Sequence, residues 1–232
     1  MKKTKIYLLL IFLLLTFCDL KAFSEQKVVV IPSSDVLSLG KILVRESNRF
    51  KPFGDDKYVT LTPSVVVGTG FNSEISAGVA TSMSDSTKVR ADMAVKKVFF
   101  ISGANRLTVG TRINPYLTGV SKPEIFTYTH FSTKIRKTKT TLTSGMYVAG
   151  NKHYLPDKPG VILGMEQVII RNKLRLAMDW TSRNESYGLI GVALKYRPVP
   201  TLSITNGIVI PNGDKGKLAF IVSISKNFSI ID

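Results

Sequence analysis

Few side chains in this sequence could do covalent or acid–base chemistry. The only histidines are His130 and His153, and the only cysteine is Cys18. His130 alternates with Tyr128 and Glu124 along one face of a strand-like stretch, and His153 lies in a polar loop. A hydrolase needs a nucleophile and a base within hydrogen-bond reach, and no local Ser–His or Asp–His motif is present. His130 therefore reads as a packed interior histidine before it reads as a base. The run Pro211-Asn212-Gly213-Asp214-Lys215-Gly216 lacks the spacing of a phosphate loop and the helix that follows one, so it reads as a turn. The sequence predicts no enzyme, no cofactor and no metal site.

Charge is what remains. Lys and Arg number 32 against 16 Asp and Glu, a formal net charge of +16. The charges recur at even spacing: Lys88, Arg90, Asp92 and Lys96 on one segment, then Arg106 and Arg112 on the next. Lys173, Arg175 and Asp179, followed by Lys195 and Arg197, repeat the pattern near the C-terminus. Such a face can attract and orient anions. Asp92, Asp179, Glu74, Glu124 and Glu166 fall on the same faces and read as salt-bridge partners before general acids. Nucleic acid is not an expected partner, because the cations are spread over nearly every segment without a binding fold or an aromatic-stacking motif.

The elements that position these charges are strands. From Asn172 to Pro211, Leu174, Leu176, Met178 and Trp180 alternate with charged residues, and Ile190, Val192, Leu194 and Tyr196 alternate with Gly191, Ala193, Lys195 and Arg197. Successive side chains of a strand point to opposite faces, so each segment has one greasy and one polar face. About twelve such segments are expected, at 41–49, 57–69, 73–83, 87–100, 105–115, 124–133, 139–149, 160–170, 173–181, 187–197, 201–210 and 216–226. Short turns are expected at Gly70-Phe71-Asn72, Gly103-Ala104-Asn105, Arg136-Lys137, Arg171-Asn172 and Pro198–Pro200; longer loops are expected near 53–56, 115–123, 151–159 and 212–216. A unit of turn residue, polar residue and Leu or Ile recurs at Ile75, Leu107, Leu142, Leu174 and Leu202, one hairpin per repeat. A single hairpin cannot bury its greasy face, so the units are expected to join edge to edge.

The start of the chain reads as an export signal. Lys2, Lys3 and Lys5 precede an apolar run from Ile6 to Phe17, and Ala22-Phe23-Ser24 offers small residues at a cleavage site. Residues 1–24 are the expected signal peptide, cut after Ser24; a lipoprotein signal using Cys18 is the rival, with bulky Phe17 where a small residue is wanted. Residues 25–40 are expected as a periplasmic lead-in and 41–232 as the barrel domain. Export without a cysteine in the mature chain leaves no disulfide.

In sum, the alternation, the aromatic strand ends, the loop asymmetry, the export signal and the hairpin Thr62-Pro63-Ser64-Val65-Val66-Val67-Gly68-Thr69-Gly70-Phe71-Asn72-Ser73-Glu74-Ile75-Ser76-Ala77-Gly78-Val79 resemble Gram-negative outer-membrane β-barrels, similar to uncharacterised small porin-like barrels. One departure is that Phe228 is followed by Ser229-Ile230-Ile231-Asp232 where such barrels usually end in an aromatic. The resemblance implies an all-β, up-and-down antiparallel transmembrane barrel, both chain ends on the periplasmic side. It also implies outer-membrane lipid and the barrel-assembly machinery as partners. Aromatics are expected in two interfacial girdles, Tyr58, Tyr116, Trp180 and Tyr187 at the long-loop end and Phe71, Phe99, Phe100, Phe131 and Tyr196 at the short-turn end. The polar faces would then line a pore through Lys88, Arg90, Asp92, Lys96, Arg112, Glu124, Glu166, Arg175, Asp179 and Lys195, favouring small anionic solutes. Two alternatives stay open: a closed barrel serving as a structural anchor, and an exported periplasmic β-domain with a binding role.

Overall fold

In a computed structural model the chain forms one closed antiparallel barrel. The structure describes residues 27–53, 57–84, 86–118, 123–150, 159–183, 188–213 and 218–230. The expected signal peptide with Cys18, the loop holding His153, and Tyr187 lie outside the described residues.

The wall is twelve strands. The first six are β1 (Lys41–Lys51), β2 (Tyr58–Gly70), β3 (Ser73–Met83), β4 (Thr87–Phe100), β5 (Asn105–Asn114) and β6 (Glu124–Ile135). The rest are β7 (Thr140–Gly150), β8 (Gly160–Ile170), β9 (Leu174–Thr181), β10 (Leu189–Val199), β11 (Leu202–Pro211) and β12 (Ala219–Ser229). Each strand pairs with its neighbours in sequence, and β1 closes on β12 from Lys41 opposite Ser229 to Phe50 opposite Phe220. Strand number, order and connections agree with the sequence expectation, and β1 begins at the short-turn end where β12 finishes. Tight reversals there rest on backbone that few residues tolerate: Asn72 and Asn172 have φ of 56° and 61°.

Two details of the strands differ from expectation. Pro198 does not open a corner: β10 runs on to Val199, and its register against β11 slips between Tyr196 and Val199. A proline in a strand sits where no ladder donor is needed, and such an irregularity supplies that place. Lys173 shares no face with Arg175; it belongs to the turn before β9, where its amide bonds the Ile170 carbonyl.

Alternation decides what faces outward. Val65, Val95, Ile113, Leu163, Ile190 and Leu194 are exposed on the outer wall, a belt that water would not tolerate and lipid would. Exposed Phe71, Phe99, Phe100, Phe131 and Tyr196 collect at the short-turn end, as expected of a girdle. The long-loop girdle is corrected in part: Trp180, paired with exposed Ile190, stays on the outer face, but two tyrosines do not. Tyr58 pairs with Lys51 and lies on the inner side, against the lumen, and Tyr116 turns inward to bond Glu124. The parity of β2 fixes this, since Thr60, Thr62 and Ser64 on the same face also point in.

Residues 27–38 are the second correction. Expected as a lead-in outside the barrel, they run through its lumen. Lys27 and Pro32 bridge, and the Val28 amide donates to the Ile31 carbonyl, which makes a tight turn of the intervening residues. Val28, Val29 and Ile31 are buried against Phe126, Tyr147, Ile162 and Leu189 on the inner wall. Each such burial is worth about 1.5–3 kcal/mol. Glycines clear the space: a Cβ on Gly164 would meet the Ile31 side chain at 2.9 Å, and one on Gly68 would meet the Ser38 carbonyl at 2.0 Å. The apolar run that seemed to precede the barrel is thus part of its core.

Candidate functional site

The lumen has three levels, each set by what the inner faces of the strands place there. At the middle level the charges hold residues 27–38. Asp179 on β9 accepts the amides of Val29, Val30 and Ile31 on one oxygen, at 2.8, 2.7 and 2.9 Å. Consecutive amides converging on an anion form a nest. Sequence alternation placed Asp179 among salt-bridge partners; its partners are backbone. Lys96 on β4 is 4 % exposed, pairs with Glu74 at 2.9 Å and donates to the carbonyls of Ser33 and Asp35. Glu74 in turn accepts the Leu37 amide at 3.0 Å. Lys195 on β10 pairs with Glu166 on β8 and donates to the Lys27 carbonyl.

Below, at the short-turn end, lies a small cavity of about 100 Å³ bounded by Asp35, Arg106, Lys134, Lys139, Glu166 and Arg175. Arg106 reaches Asp35 at 2.8 Å and the Ser34 carbonyl at 3.2 Å. His130 is buried beside it, stacked on Tyr128, with Nδ1 3.5 Å from the Ser132 hydroxyl. That hydroxyl already exchanges hydrogen bonds with Ser34 and Thr143.

Above, at the long-loop end, is a chamber of about 440 Å³. Arg49 on β1, Thr60 and Thr62 on β2, Ser82 on β3, Arg90 and Asp92 on β4 and Arg112 on β5 form one side. Lys27, Val29 and Val30 make its floor, and Leu189 on β10 and Ile221 on β12 also line it, Ile221 as the register partner of Arg49. Arg90 pairs with Glu124 at 3.0 Å, and Arg112 approaches Asp92 at 3.4 Å. Tyr116 donates to Glu124 at 3.1 Å; partial burial and then the Glu124 carboxylate lift its phenol above the usual value. Arg45 borders the adjoining recess with Lys27, Asp92 and Arg112. Among the described residues the side chains of Lys27, Arg45 and Arg49 make no ion pair or hydrogen bond.

Of the ten pore-lining candidates, Arg90, Asp92, Arg112 and Glu124 come together at this chamber, while Lys96, Glu166, Asp179 and Lys195 grip the inner segment. Arg175 belongs to the lower cavity, and Lys88 is exposed near the start of β4. Arg45, Arg49 and Lys27 were missed. The signal for the first two was present, because Leu43, Arg45, Ser47 and Arg49 alternate along the first strand.

A closed sheet, apolar outside and polar within, defines a transmembrane β-barrel. No protein-family model matches the chain, and no curated protein matches it. Solved structures do. The NanC porin superposes with a TM-score of 0.61 at 12 % identity, covering 80 % of this chain and 98 % of that one. The KdgM porin gives 0.59 at 10 % identity over 81 % and 99 %. Outer-membrane phospholipase A from Escherichia coli reaches 0.50 at 9 % identity, over 80 % and 89 %. The fold is therefore that of outer-membrane porins, and the similarity is one of fold.

Proposed function

We propose that this protein is a porin-like channel of an outer membrane, non-enzymatic, whose positively charged chamber draws in small anions. One observation carries the reading: at the long-loop end Asp92 and Glu124 are matched by Arg112 and Arg90, and among the described residues Arg45 and Arg49 remain without acidic partners. Excess charge in a cleft with low-dielectric walls focuses the field and raises the local concentration of counter-ions. Long loops face outward in barrels of this class, so the chamber would meet solutes from outside. A KdgM porin has been solved in complex with a disordered oligogalacturonate, a polyanion. That gives a barrel of like fold a ligand of the same sign. Lys88, Arg90, Asp92, Lys96, Arg112, Glu124, Glu166, Arg175, Asp179 and Lys195 are the proposed lining, with Arg45 and Arg49 added. Lipid and the barrel-assembly machinery are the proposed partners.

The inner segment favours a second reading, a closed anchor barrel, because residues 27–38 occupy the lumen between the upper and lower cavities. Passage then requires the segment to shift. Purified protein in a planar bilayer decides between the two. Conductance steps whose reversal potential in a salt gradient shows anion preference support the channel, and that preference should weaken when Arg90, Arg112 and Arg175 are replaced together by Ser. Absence of any conductance from protein that migrates anomalously in cold SDS would leave the anchor.

A further inference from the structure

We propose that the upper chamber is a binding site for a small amphiphilic carboxylate, an anionic head on a short apolar body. The inference rests on the chamber being an anion vestibule and goes further, because its lining is of two chemically unlike kinds. The side formed by β1–β5 offers the guanidinium of Arg49, without an ion pair among the described residues, with Arg45 just below, among the hydroxyls of Thr60, Thr62 and Ser82. The apolar lining is Val29 and Val30 on the floor with Leu189 and Ile221 on the wall, with no polar side-chain atom among them, and Ile221 on β12 stands next to Arg49 as its register partner. Val29, Leu189 and Ile221 are each under a tenth exposed and belong to one buried apolar cluster with Phe126, Tyr147 and Ile162.

A fully hydrated inorganic anion would gain nothing from that apolar lining. A sugar acid would leave hydroxyls facing it without partners, which is costly in a confined site. A carboxylate with an aliphatic tail meets both at once. The planar guanidinium matches a carboxylate fork to fork, and the tail removes from water the apolar surface that begins beside it. The volume of about 440 Å³ is within the range of small-molecule sites and leaves room for a chain of several carbons.

The test uses the full chain in nanodiscs of zwitterionic lipid, titrated with acetate, butyrate and hexanoate, with empty nanodiscs subtracted. Affinity should rise about fourfold per methylene, the ratio set by transfer of one CH₂ from water. Hexanol, lacking the head, should bind far more weakly than hexanoate. Leu189→Ser with Ile221→Ser should flatten the chain-length series, weakening hexanoate far more than acetate. Arg45→Gln with Arg49→Gln should weaken every member by a common factor. Should the Leu189/Ile221 variant lose its anomalous cold-SDS migration, Ile221→Val alone, read as a smaller slope, replaces it. Equal binding of acetate and hexanoate overturns the amphiphile site yet leaves the anion vestibule standing. Loss of anion preference in bilayers, with the chain-length series intact, overturns the vestibule instead.

Discussion

Lys96 and Arg49 project into the same lumen from strands of one sheet, and they are used in opposite ways. Lys96 is spent: a carboxylate and two backbone carbonyls surround its ammonium. Arg49 faces the upper chamber with no ion pair among the described residues. The difference follows residues 27–38. Where that segment passes, each buried backbone group needs a partner, and the inner charges supply it. Where the segment stops, charge is left over. A count of cations on inner faces therefore overstates what a solute could feel, and the split between the two levels is what experiments can sharpen.

The largest effect is expected from Asp179→Ala. It removes the acceptor of three amides, each charge-assisted bond being worth about 1.5–3 kcal/mol. The inner segment should come loose while the wall stays closed. Limited proteolysis should cut near residues 27–38 in the variant only, and bilayer current should rise. Equal protection in both proteins would show that the apolar contacts alone hold the segment.

Next comes Lys96→Met. Glu74 would keep the Leu37 amide but lose its counter-charge while remaining buried, a change that typically costs about 3–5 kcal/mol. The temperature at which the folded form disappears on SDS gels should drop clearly. Smaller is the effect of Arg45→Gln with Arg49→Gln, which removes no ion pair: gel stability should hold while the anion-to-cation permeability ratio falls toward unity. If stability collapses as well, the upper level is structural after all. Smallest is Arg106→Gln. Arg106 and Asp35 are each about a third exposed, so their pair contributes under about 1 kcal/mol, and denaturant midpoints should barely move.

The wall was readable from sequence because its information is local. Period-two alternation and turn residues such as Asn72 and Asn172 sit beside the strands they define, and the strand bounds fell within a few residues of expectation. The lumen was much less so. Val28 to Ile31 has the same sequence pattern whether it lies outside the barrel or inside it, and the carboxylate that holds it is 150 residues further on from Val29. Asp179 was recognised as an inner-face acid, but alternation gives a face and not a partner. Tyr58 shows the converse: its parity with Thr60 and Thr62 was available and pointed inward, and the expectation of an aromatic girdle prevailed over it.

The joint between β1 and β12 has a different kind of consequence. Every other strand pair is adjacent in sequence, whereas this one brings Lys41 to Ser229, 188 positions apart, with a hydrogen bond at 2.6 Å between their side chains. Eleven pairings can form by successive local folding, and the twelfth carries nearly the whole entropy of ring closure. Once it has formed, the wall is a hoop without a first or last stave. Cutting the backbone at a short turn and joining the old ends would move the termini and leave the hoop intact, because its continuity no longer depends on where the chain happens to start.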